Sequence, residues 1–257
     1  MNKPLILVTN DDGIDAPGIK VLTKLMAEIG EVVVFAPAFP QSGMSNALTV
    51  TAPIRFSKVD EHENTVRYSC TGTPTDCVKL ALHEVFKGRK PDLLVSGINH
   101  GSNAAINVIY SGTMGAAFEG CASGIPSVGF SICDHSWDVD FEQLKPFVLE
   151  IVKMVLANGL PERVCLNVNA PVGEIKGMKT VRQCKGFWTQ EFEKREDPRG
   201  VGSYYWLTGY FHNQEPEATD TDEWALANGY VSIVPTRVDM TDYNSISDLK
   251  FQISDSE

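Results

Sequence analysis

The sequence predicts an α/β protein in which a mainly parallel β-sheet carries helices on both faces and is followed by a C-terminal β-hairpin arm. Two observations predict the sheet: short apolar runs recur along much of the chain, and amphipathic helical patterns alternate with them. The arm is predicted from a change of pattern near residue 178, after which aromatic residues crowd two long stretches. The chain has 257 residues, 43% hydrophobic and 21% charged, so it can bury a sizeable core.

The first predicted strand is Leu5–Thr9, because its apolar run is typical of a strand buried on both faces. A helix follows, because Pro17 suits a first helical turn, apolar residues recur at helical spacing, and Gly30 can end it. Further short runs predict strands at 32–35, 54–59, 66–70, 91–96, 126–132, 164–168 and 230–235. Intervals of three and four between apolar residues, or a capping residue, predict helices that start near 73, 111 and 141.

Three segments are expected along the chain: a core over residues 1–177, an arm over 178–212, and a C-terminal strand that returns to the core with its tail over 213–257. The arm is predicted as two long antiparallel strands, 179–190 and 203–210, joined by a charged loop. Its large aromatic residues predict packing on another subunit, with packing on its own domain as the alternative; they are Trp188, Tyr204, Tyr205, Trp206, Tyr210 and Phe211.

Composition and charge exclude several classes of partner. The formal net charge is −11, and the one basic cluster, 87–90, is too short to form a nucleic-acid groove. No apolar stretch approaches the ~18–20 residues of a membrane span, and the N-terminal apolar run is too short for an export signal. The six cysteines form no metal-binding or disulfide pattern. We therefore expect a cytoplasmic protein that binds neither membranes nor duplex nucleic acid.

Polar segments follow three of the predicted strands, and a fourth begins a helix. Two adjacent carboxylates, Asp11 and Asp12, come directly after the first strand; they repel each other unless a cation or solvent separates them. The loop 37–46 is rich in hydroxyls and Gly, which either line a site or form turns. Glycines bracket Asn99 after the strand ending at Ser96, where they let a ligand approach the backbone. In a parallel sheet all of these strand ends lie at one edge.

The helix start Ser111-Gly112-Thr113 favours an anion such as phosphate, with a plain helix cap as the alternative. The other polar groups at this edge are hard oxygen donors, which suit Mg²⁺, Mn²⁺ or Ca²⁺ better than zinc. A hard cation beside a helix N-terminus is typical of a phosphate-ester site. His100 lies in the same region, and a structural hydrogen bond is the favoured interpretation of it over a ligand role.

Several motifs in chain order resemble the survival protein SurE family, which are metal-dependent nucleoside monophosphate phosphatases. The motifs are Asn10-Asp11-Asp12-Gly13, Ala16-Pro17-Gly18, Ser42-Gly43-Met44-Ser45, Gly72-Thr73-Pro74-Thr75-Asp76-Cys77, Ser96-Gly97-Ile98-Asn99, Tyr110-Ser111-Gly112-Thr113, Thr221-Asp222 and Gly229-Tyr230-Val231-Ser232-Ile233. The resemblance implies a Rossmann-like three-layer core, an extended C-terminal hairpin, and a dimer or tetramer with an exchanged tail. It places Asp11, Asp12, Ser42 and Asn99 at the metal-ligand positions.

The function expected on this basis is hydrolysis of nucleoside 5′-monophosphates, with 3′-monophosphates as further substrates and, in some members, polyphosphate. One Mg²⁺ or Mn²⁺ per subunit would activate the attacking water, and Asp11 and Asp12 are the expected catalytic residues. The expected phosphate- and substrate-binding residues are Asn103, Ser111, Gly112, Thr113, Gly43 and Ser45.

One position departs from the family and two alternatives stay open. Some members carry His where Arg237 stands, so the identity of the general base is open. A haloacid-dehalogenase-type phosphatase needs a nucleophilic Asp where this chain has Asn10. A non-catalytic regulator that binds metal or nucleotide is the second alternative. No GxGxxG motif follows a strand, so a dinucleotide-binding oxidoreductase is not expected.

Overall fold

The computed structural model describes residues 3–248. A central β-sheet forms the middle of the protein. In chain order the strands are β1 (Leu5–Thr9), β2 (Glu31–Pro37), β3 (Phe56–His62), β4 (Thr65–Cys70), β5 (Leu93–His100), β6 (Ser127–Ile132), β7 (Val164–Ala170), β8 (Gly177–Thr180), β9 (Gly186–Thr189), β10 (Phe192–Glu196), β11 (Ser203–Leu207), β12 (Tyr210–Asn213) and β13 (Tyr230–Arg237).

The helices are α1 (Pro17–Ala27), α2 (Pro74–Leu80), α3 (Gly112–Ala122), α4 (Lys145–Asn158) and α5 (Asp222–Ala227). A π-helical segment, Ala81–Phe86, extends α2, and a 3-10 helix, Ala105–Ile109, precedes α3. Thr73 caps α2, which confirms the helix start predicted near residue 73, and it forms a reciprocal capping box with Asp76. Over residues 3–248, none of the helices is both long and apolar enough to cross a membrane.

The central sheet has nine strands in the order β3-β4-β2-β1-β5-β6-β7-β13-β8. The six strands from β4 to β7 in that order are parallel, β3 is antiparallel at one end, and β13 runs antiparallel to β7. The prediction of a mainly parallel sheet is therefore confirmed. The carboxyl ends of β1, β5 and β6 all lie at one edge of it.

Alternate residues of each strand pack on opposite faces of the sheet, as the two-residue repeat of a strand requires. Ile6 and Val8 of β1 pack in a core cluster with α1 and α4, whereas Leu5 and Leu7 pack in a second cluster with α2 and α3. The molecule is therefore a three-layer α/β sandwich, as expected.

The arm differs from the two long strands expected over 179–190 and 203–210. β8 belongs to the central sheet beside β13, and the hairpin itself consists of two short pairs, β9 with β12 and β10 with β11. The chain between β8 and β9 is held by side chains instead: the backbone N–H groups of Cys184 and Lys185 donate to Asp222 (2.8 Å) and Glu215 (2.8 Å). These carboxylates lie far along the chain, so the local sequence pattern does not reveal the break.

All six cysteines are free, and only Cys133 is not fully buried. Five of the six are therefore core residues.

Candidate active site

The predicted site residues lie at the carboxyl edge of the central sheet, where β1, β5 and the start of α3 meet. Asp11 and Asp12 follow β1 directly. The backbone N–H of Gln41 donates to the carbonyl of Asp11 (2.7 Å), which brings the loop after β2 over this edge. Two neighbouring segments therefore share one small region.

Asp11 lies against the first turn of α3. Its side chain is buried, and Thr113 Oγ1–H donates a hydrogen bond to Asp11 Oδ1. A Cβ at Gly112 would lie 2.8 Å from Asp11 Cβ, so only a glycine allows this approach. Burial raises the pKa of Asp11 to about 6; the charge of Asp12 also raises it, and the hydrogen bond from Thr113 opposes both.

Asp12 is bound to the end of β5 through His100. Asp12 Oδ2 accepts hydrogen bonds from the His100 backbone N–H (3.1 Å) and from His100 Nδ1–H (3.0 Å). The imidazole is 4% exposed and stacks on Trp137 (4.9 Å between centroids) with Phe141 at its edge (5.6 Å). His100 therefore makes the structural hydrogen bond that its sequence context favours.

Within the described residues, the two carboxylates have no Lys or Arg side chain to balance them. In the described part of the chain, neither Lys nor Arg pairs with Asp11 or Asp12, and His100 is the one ion-pair partner of Asp12. Several buried oxygens at the ends of β1 and β5 also have no hydrogen-bond partner among residues 3–248: Thr9 Oγ1, Asn10 Oδ1 and Ser96 Oγ. Adjacent carboxylates surrounded by neutral oxygens are a donor set that fits Mg²⁺ or Mn²⁺.

The donor set does not fit a zinc centre. No group of three or more His, Cys, Asp and Glu side chains suited to a metal occurs within residues 3–248. Any cation at this edge would have to be completed by hydroxyl, amide or water oxygens.

The other two predicted metal ligands each adjoin a residue that is hydrogen-bonded to one of these aspartates. Ser42 is exposed and directly follows Gln41, whose N–H donates to Asp11. Asn99 directly precedes His100 on β5, and its Nδ2 donates to the carbonyl of Gly101 (2.8 Å). That hydrogen bond leaves Asn99 Oδ1 as the acceptor atom of the side chain.

The predicted phosphate-binding residues fall into two groups. Ser45 joins the loop after β2 to the segment before α3, because its N–H donates to Tyr110 O (3.1 Å) and its Oγ–H donates to Ile109 O (2.6 Å). Ser111 is the N-cap of α3 and accepts from Met114 N–H (3.0 Å), so its cap role is confirmed. Gly43 is exposed in the same loop with φ +73°.

Asn103 is held at the carboxyl ends of β6 and β7. Its Nδ2 donates to Ser131 Oγ (2.8 Å), and its backbone N–H donates to Asn169 Oδ1 (2.8 Å). Within the described chain, no hydrogen bond joins Asn103 to Asp11, Asp12 or α3.

Arg237 is far from the carboxylates within this chain. It pairs with Val164, the first residue of β7, and β13 runs antiparallel to β7. Arg237 therefore lies at the opposite edge of the sheet from Asp11, and this protomer does not bring it into the site.

Two contributors to the site were not predicted from the sequence. Gly115 lets the loop after β2 rest on α3, because a Cβ there would overlap the carbonyl oxygen of Ser45; a glycine inside a helix is the signal that could have shown this. Asp222 accepts from Ala105 N–H (2.8 Å) and from Cys184 N–H, which ties the arm to the segment before α3. The stacking of Trp137 on His100 has no signal in the sequence.

Comparisons with known proteins point to one family. The family model described as survival protein SurE matches residues 6–190. Relatives named 5′-nucleotidase SurE include those of Flavobacterium psychrophilum (54% identical, 97% of each chain), Phocaeicola vulgatus (49%, 96% of each) and Bacteroides fragilis (52%, 96% of this chain and 97% of the relative). The crystal structure of the Sure protein from Aquifex aeolicus has a TM-score of 0.83 and 39% identity, and it covers 96% of this chain and 98% of its own.

Proposed function

This chain belongs to the survival protein SurE family, and we propose that it is a metal-dependent 5′-nucleotidase that releases phosphate from nucleoside 5′-monophosphates. One observation carries the proposal: buried Asp11 meets the N-terminus of α3, its neighbour Asp12 is held by His100 beside it, and neither carboxylate is paired with a Lys or Arg within residues 3–248. A cation bound there would neutralise the carboxylates and attract a phosphate. The names of the relatives support the same activity. The proposed substrates include 3′-monophosphates as a second class.

We propose that Asp11, Asp12, Ser42 and Asn99 hold one Mg²⁺ or Mn²⁺ ion. When bound, such an ion polarises a phosphoryl oxygen and lowers the pKa of a coordinated water. Three contacts support this set: Thr113 fixes Asp11, His100 fixes Asp12, and Gly101 fixes the amide of Asn99. Three of the four proposed ligands, Asp11, Asp12 and Asn99, are therefore oriented before any ion binds, which reduces the entropy lost on binding.

The phosphate group is proposed to bind at the first turn of α3. The backbone N–H groups of Gly112 and Thr113 lie there beside Asp11, and the helix dipole favours an anion. Ser111, Ser45 and Gly43 line the same approach, and Asn103 is proposed as a further contact of the substrate. Asp11 then faces both the helix end and the metal position, where it can orient the attacking water.

Attack by water directly, without a phosphoenzyme, is the proposed route. The haloacid-dehalogenase alternative needs a carboxylate nucleophile at the position of Asn10, which is a buried amide that donates to Gly13 O (2.9 Å). Turnover in ¹⁸O-labelled water should leave one label in each phosphate and no acid-stable phosphoprotein. A phosphorylated Asp11 or Asp12 would favour the covalent alternative.

The experiment that tests the function is a panel of nucleoside 5′- and 3′-monophosphates, each assayed with Mg²⁺, Mn²⁺ and EDTA. We expect phosphate release with a divalent ion and none with EDTA. Binding of nucleotide without release under every condition would instead support the non-catalytic regulator.

We also propose that the chain self-associates through its arm, as a dimer or a dimer of dimers, and works in the cytoplasm. Tyr205 and Trp206 in β11 are 60% and 62% exposed, and Leu207 is 71% exposed, which leaves large apolar side chains uncovered on both faces of the strand in one chain. Reduced cysteines support a cytoplasmic location, because Cys70 contacts Cys77 and Cys121 contacts Cys165 without a disulfide.

A further inference from the structure

The motif Gly72-Thr73-Pro74-Thr75-Asp76-Cys77 joins β4 to α2, and the site proposed above uses none of its side chains. Thr73 and Asp76 are nevertheless buried, each 4% exposed, and both contact the loop that carries Ser42. Residues 38–49, which follow β2, are called the ligand loop below. The contacts between the motif and the ligand loop indicate a role beyond starting a helix.

The first end of the ligand loop is bound to the last residue of β4. Ala38 N–H donates to Cys70 O (2.7 Å), which continues the parallel pairing of β2 with β4. Gln41 N–H then donates to Asp11 O, and Ser42 follows directly. Ser42 is exposed, so its position is set by the backbone of its loop.

The second end of the ligand loop is bound by the motif itself. Thr73 Oγ1–H donates to Ala47 O (2.7 Å). Thr49 N–H donates to the Asp76 carboxylate and lies 3.2 Å from each of its oxygens. One short segment, 70–76, therefore holds both ends of the loop that carries a proposed metal ligand.

The start of α2 does not require these contacts with the loop. Its capping box is completed inside the motif, because Asp76 N–H donates to Thr73 Oγ1 (3.1 Å) and Thr73 N–H donates to Asp76 Oδ2 (3.0 Å). The hydroxyl hydrogen of Thr73 is left over, and it binds the ligand loop. An aspartate at the N-cap would begin the helix equally well but has no hydrogen to donate.

Gly72 allows Asp76 to lie across the start of the helix. A Cβ at Gly72 would lie 2.7 Å from Asp76 Cβ and 2.9 Å from Asp76 Oδ2, the oxygen that accepts from both Thr73 and Thr49. A buried carboxylate needs such donors, so losing the N–H of Thr49 is costly. The second end of the ligand loop is therefore bound firmly.

We propose that Thr73 and Asp76 are positioning residues for the metal site, because they fix the ligand loop and with it Ser42. The inference rests on the proposed function and adds two residues that touch neither the ion nor the substrate. A ligand whose backbone is fixed beforehand loses less entropy when an ion binds. The contacts with the loop should therefore contribute to metal affinity and not only to stability.

The first test measures Mn²⁺ binding by titration calorimetry without substrate. Thr73→Ala should weaken Mn²⁺ binding about tenfold, whereas Thr73→Ser keeps the hydroxyl and should stay within about twofold of the wild type. Thr49→Pro removes the N–H that Asp76 accepts and leaves the capping box intact, so it should weaken binding about as much as Thr73→Ala. Thr49→Pro also decides the question if Thr73→Ala does not fold.

Two control variants separate this role from general stability. Val78→Ala removes buried methyl groups from the same helix, so it should lower Tm at least as much as Thr73→Ala and leave Mn²⁺ affinity unchanged. Thr51→Pro alters an exposed residue just beyond the ligand loop, whose N–H donates to no protein group within residues 3–248, and should also leave the affinity unchanged. Affinity within about twofold of the wild type in both Thr73→Ala and Thr49→Pro, or an equal loss in Val78→Ala, would overturn the inference.

The second test follows the loop in the metal-free protein. Amide hydrogen exchange in EDTA should be faster over residues 39–48 in Thr73→Ala and Thr49→Pro than in the wild type, and unchanged there in Val78→Ala. Unchanged exchange in both loop variants would show that the contacts of Gln41 and Ser45 suffice to hold the loop, which contradicts the inference. If the wild type binds no Mn²⁺, the proposed metal site fails, while the exchange rates still decide whether the motif holds the loop.

Discussion

The buried negative charge of Asp11 destabilises the metal-free folded protein, and this destabilisation should depend on pH. Its folded pKa of about 6 lies above the ordinary value of 3.8 because the carboxyl is buried. As the pH rises, Asp11 therefore keeps its proton to a higher pH in the folded state than in the unfolded state. The stability of the folded protein is unaffected by the charge of Asp11 below pH 4, and it falls as the pH rises toward 6 and Asp11 must lose its proton. At neutral pH the buried charge costs roughly 3 kcal/mol of unfolding free energy.

We therefore predict that Asp11→Asn stabilises the metal-free protein at pH 7.5 and much less at pH 4.5. Urea unfolding in EDTA at the two pH values measures the difference. The asparagine can still accept the hydrogen bond from Thr113, so packing at α3 is retained. An equal stability change at both pH values would contradict the burial of a charged Asp11.

His100 should act on metal binding by positioning Asp12. His100→Leu keeps an apolar side chain beside Trp137 and Phe141 but removes the donor to Asp12 Oδ2, and we expect the affinity for Mn²⁺ to fall about tenfold or more. His100→Asn restores a donor near the position of Nδ1 and should recover part of the affinity. Titration calorimetry with Mn²⁺ measures both, and unchanged affinity in His100→Leu would show that the imidazole only fills space.

The main site residues could be predicted from the sequence because their signals are local. Two adjacent carboxylates directly after an apolar strand point to a charged strand end, and the structure buries Asp11 there. The contact between His100 and Trp137 could not be predicted, because it depends on the path of the loop after β6. Asn103 shows the same limit: its motif is recognisable, but its hydrogen-bond partners Ser131 and Asn169 lie far along the chain and have no local signal.

At the scale of elements, the loop after β2 packs directly on α3 because Gly115 has no side chain. Gly115→Ala would place a methyl group against the Ser45 carbonyl and move the loop that carries Ser42. We predict that kcat/KM for AMP falls about tenfold or more, because a small displacement of a ligand loop is enough to impair catalysis.

Gly120→Ala is the matched control in the same helix. Its added methyl group would meet Ser127 Oγ and Leu94 near the opposite end of β5 and β6, so it should lower Tm but leave kcat of the folded protein near the wild-type value. If Gly120→Ala impairs turnover as much as Gly115→Ala, helix packing in general, and not the loop contact, controls the site.

The strands and helices of the core could be predicted because their signals are periodic and short in range. The arm could not be divided correctly, because Asp222 and Glu215 bind the backbone between β8 and β9 from more distant parts of the chain. Gln190 then interrupts the hairpin between β9 and β10 with φ +52°, a conformation that a strand pattern does not reveal.

At the scale of the whole molecule, the exposed aromatic side chains of the arm predict a stable homodimer at least. Light scattering at micromolar concentration should give a mass of at least twice the 28.2 kDa chain. The ends of the hairpin, Gly186 and Asn213, pair with each other, so replacing 186–213 by a short linker removes the arm without touching β8.

That deletion should give monomers or aggregate, whereas replacing the loop 197–202 at the tip should leave the mass unchanged, because this turn lies outside the paired strands. A wild-type mass equal to that of one chain would contradict the assembly.

Asp11 and Asp12 are proposed to hold a catalytic cation at the carboxyl edge of the sheet. The rate of phosphate release from AMP by the wild type and by Asp12→Asn across a Mn²⁺ titration tests this proposal, with circular dichroism to show that both proteins are folded. We predict that Asp12→Asn loses at least ~10²-fold in kcat/KM at saturating Mn²⁺, as expected when a charged group of the catalytic site is removed. Activity of Asp12→Asn within a few-fold of the wild type would contradict the claim.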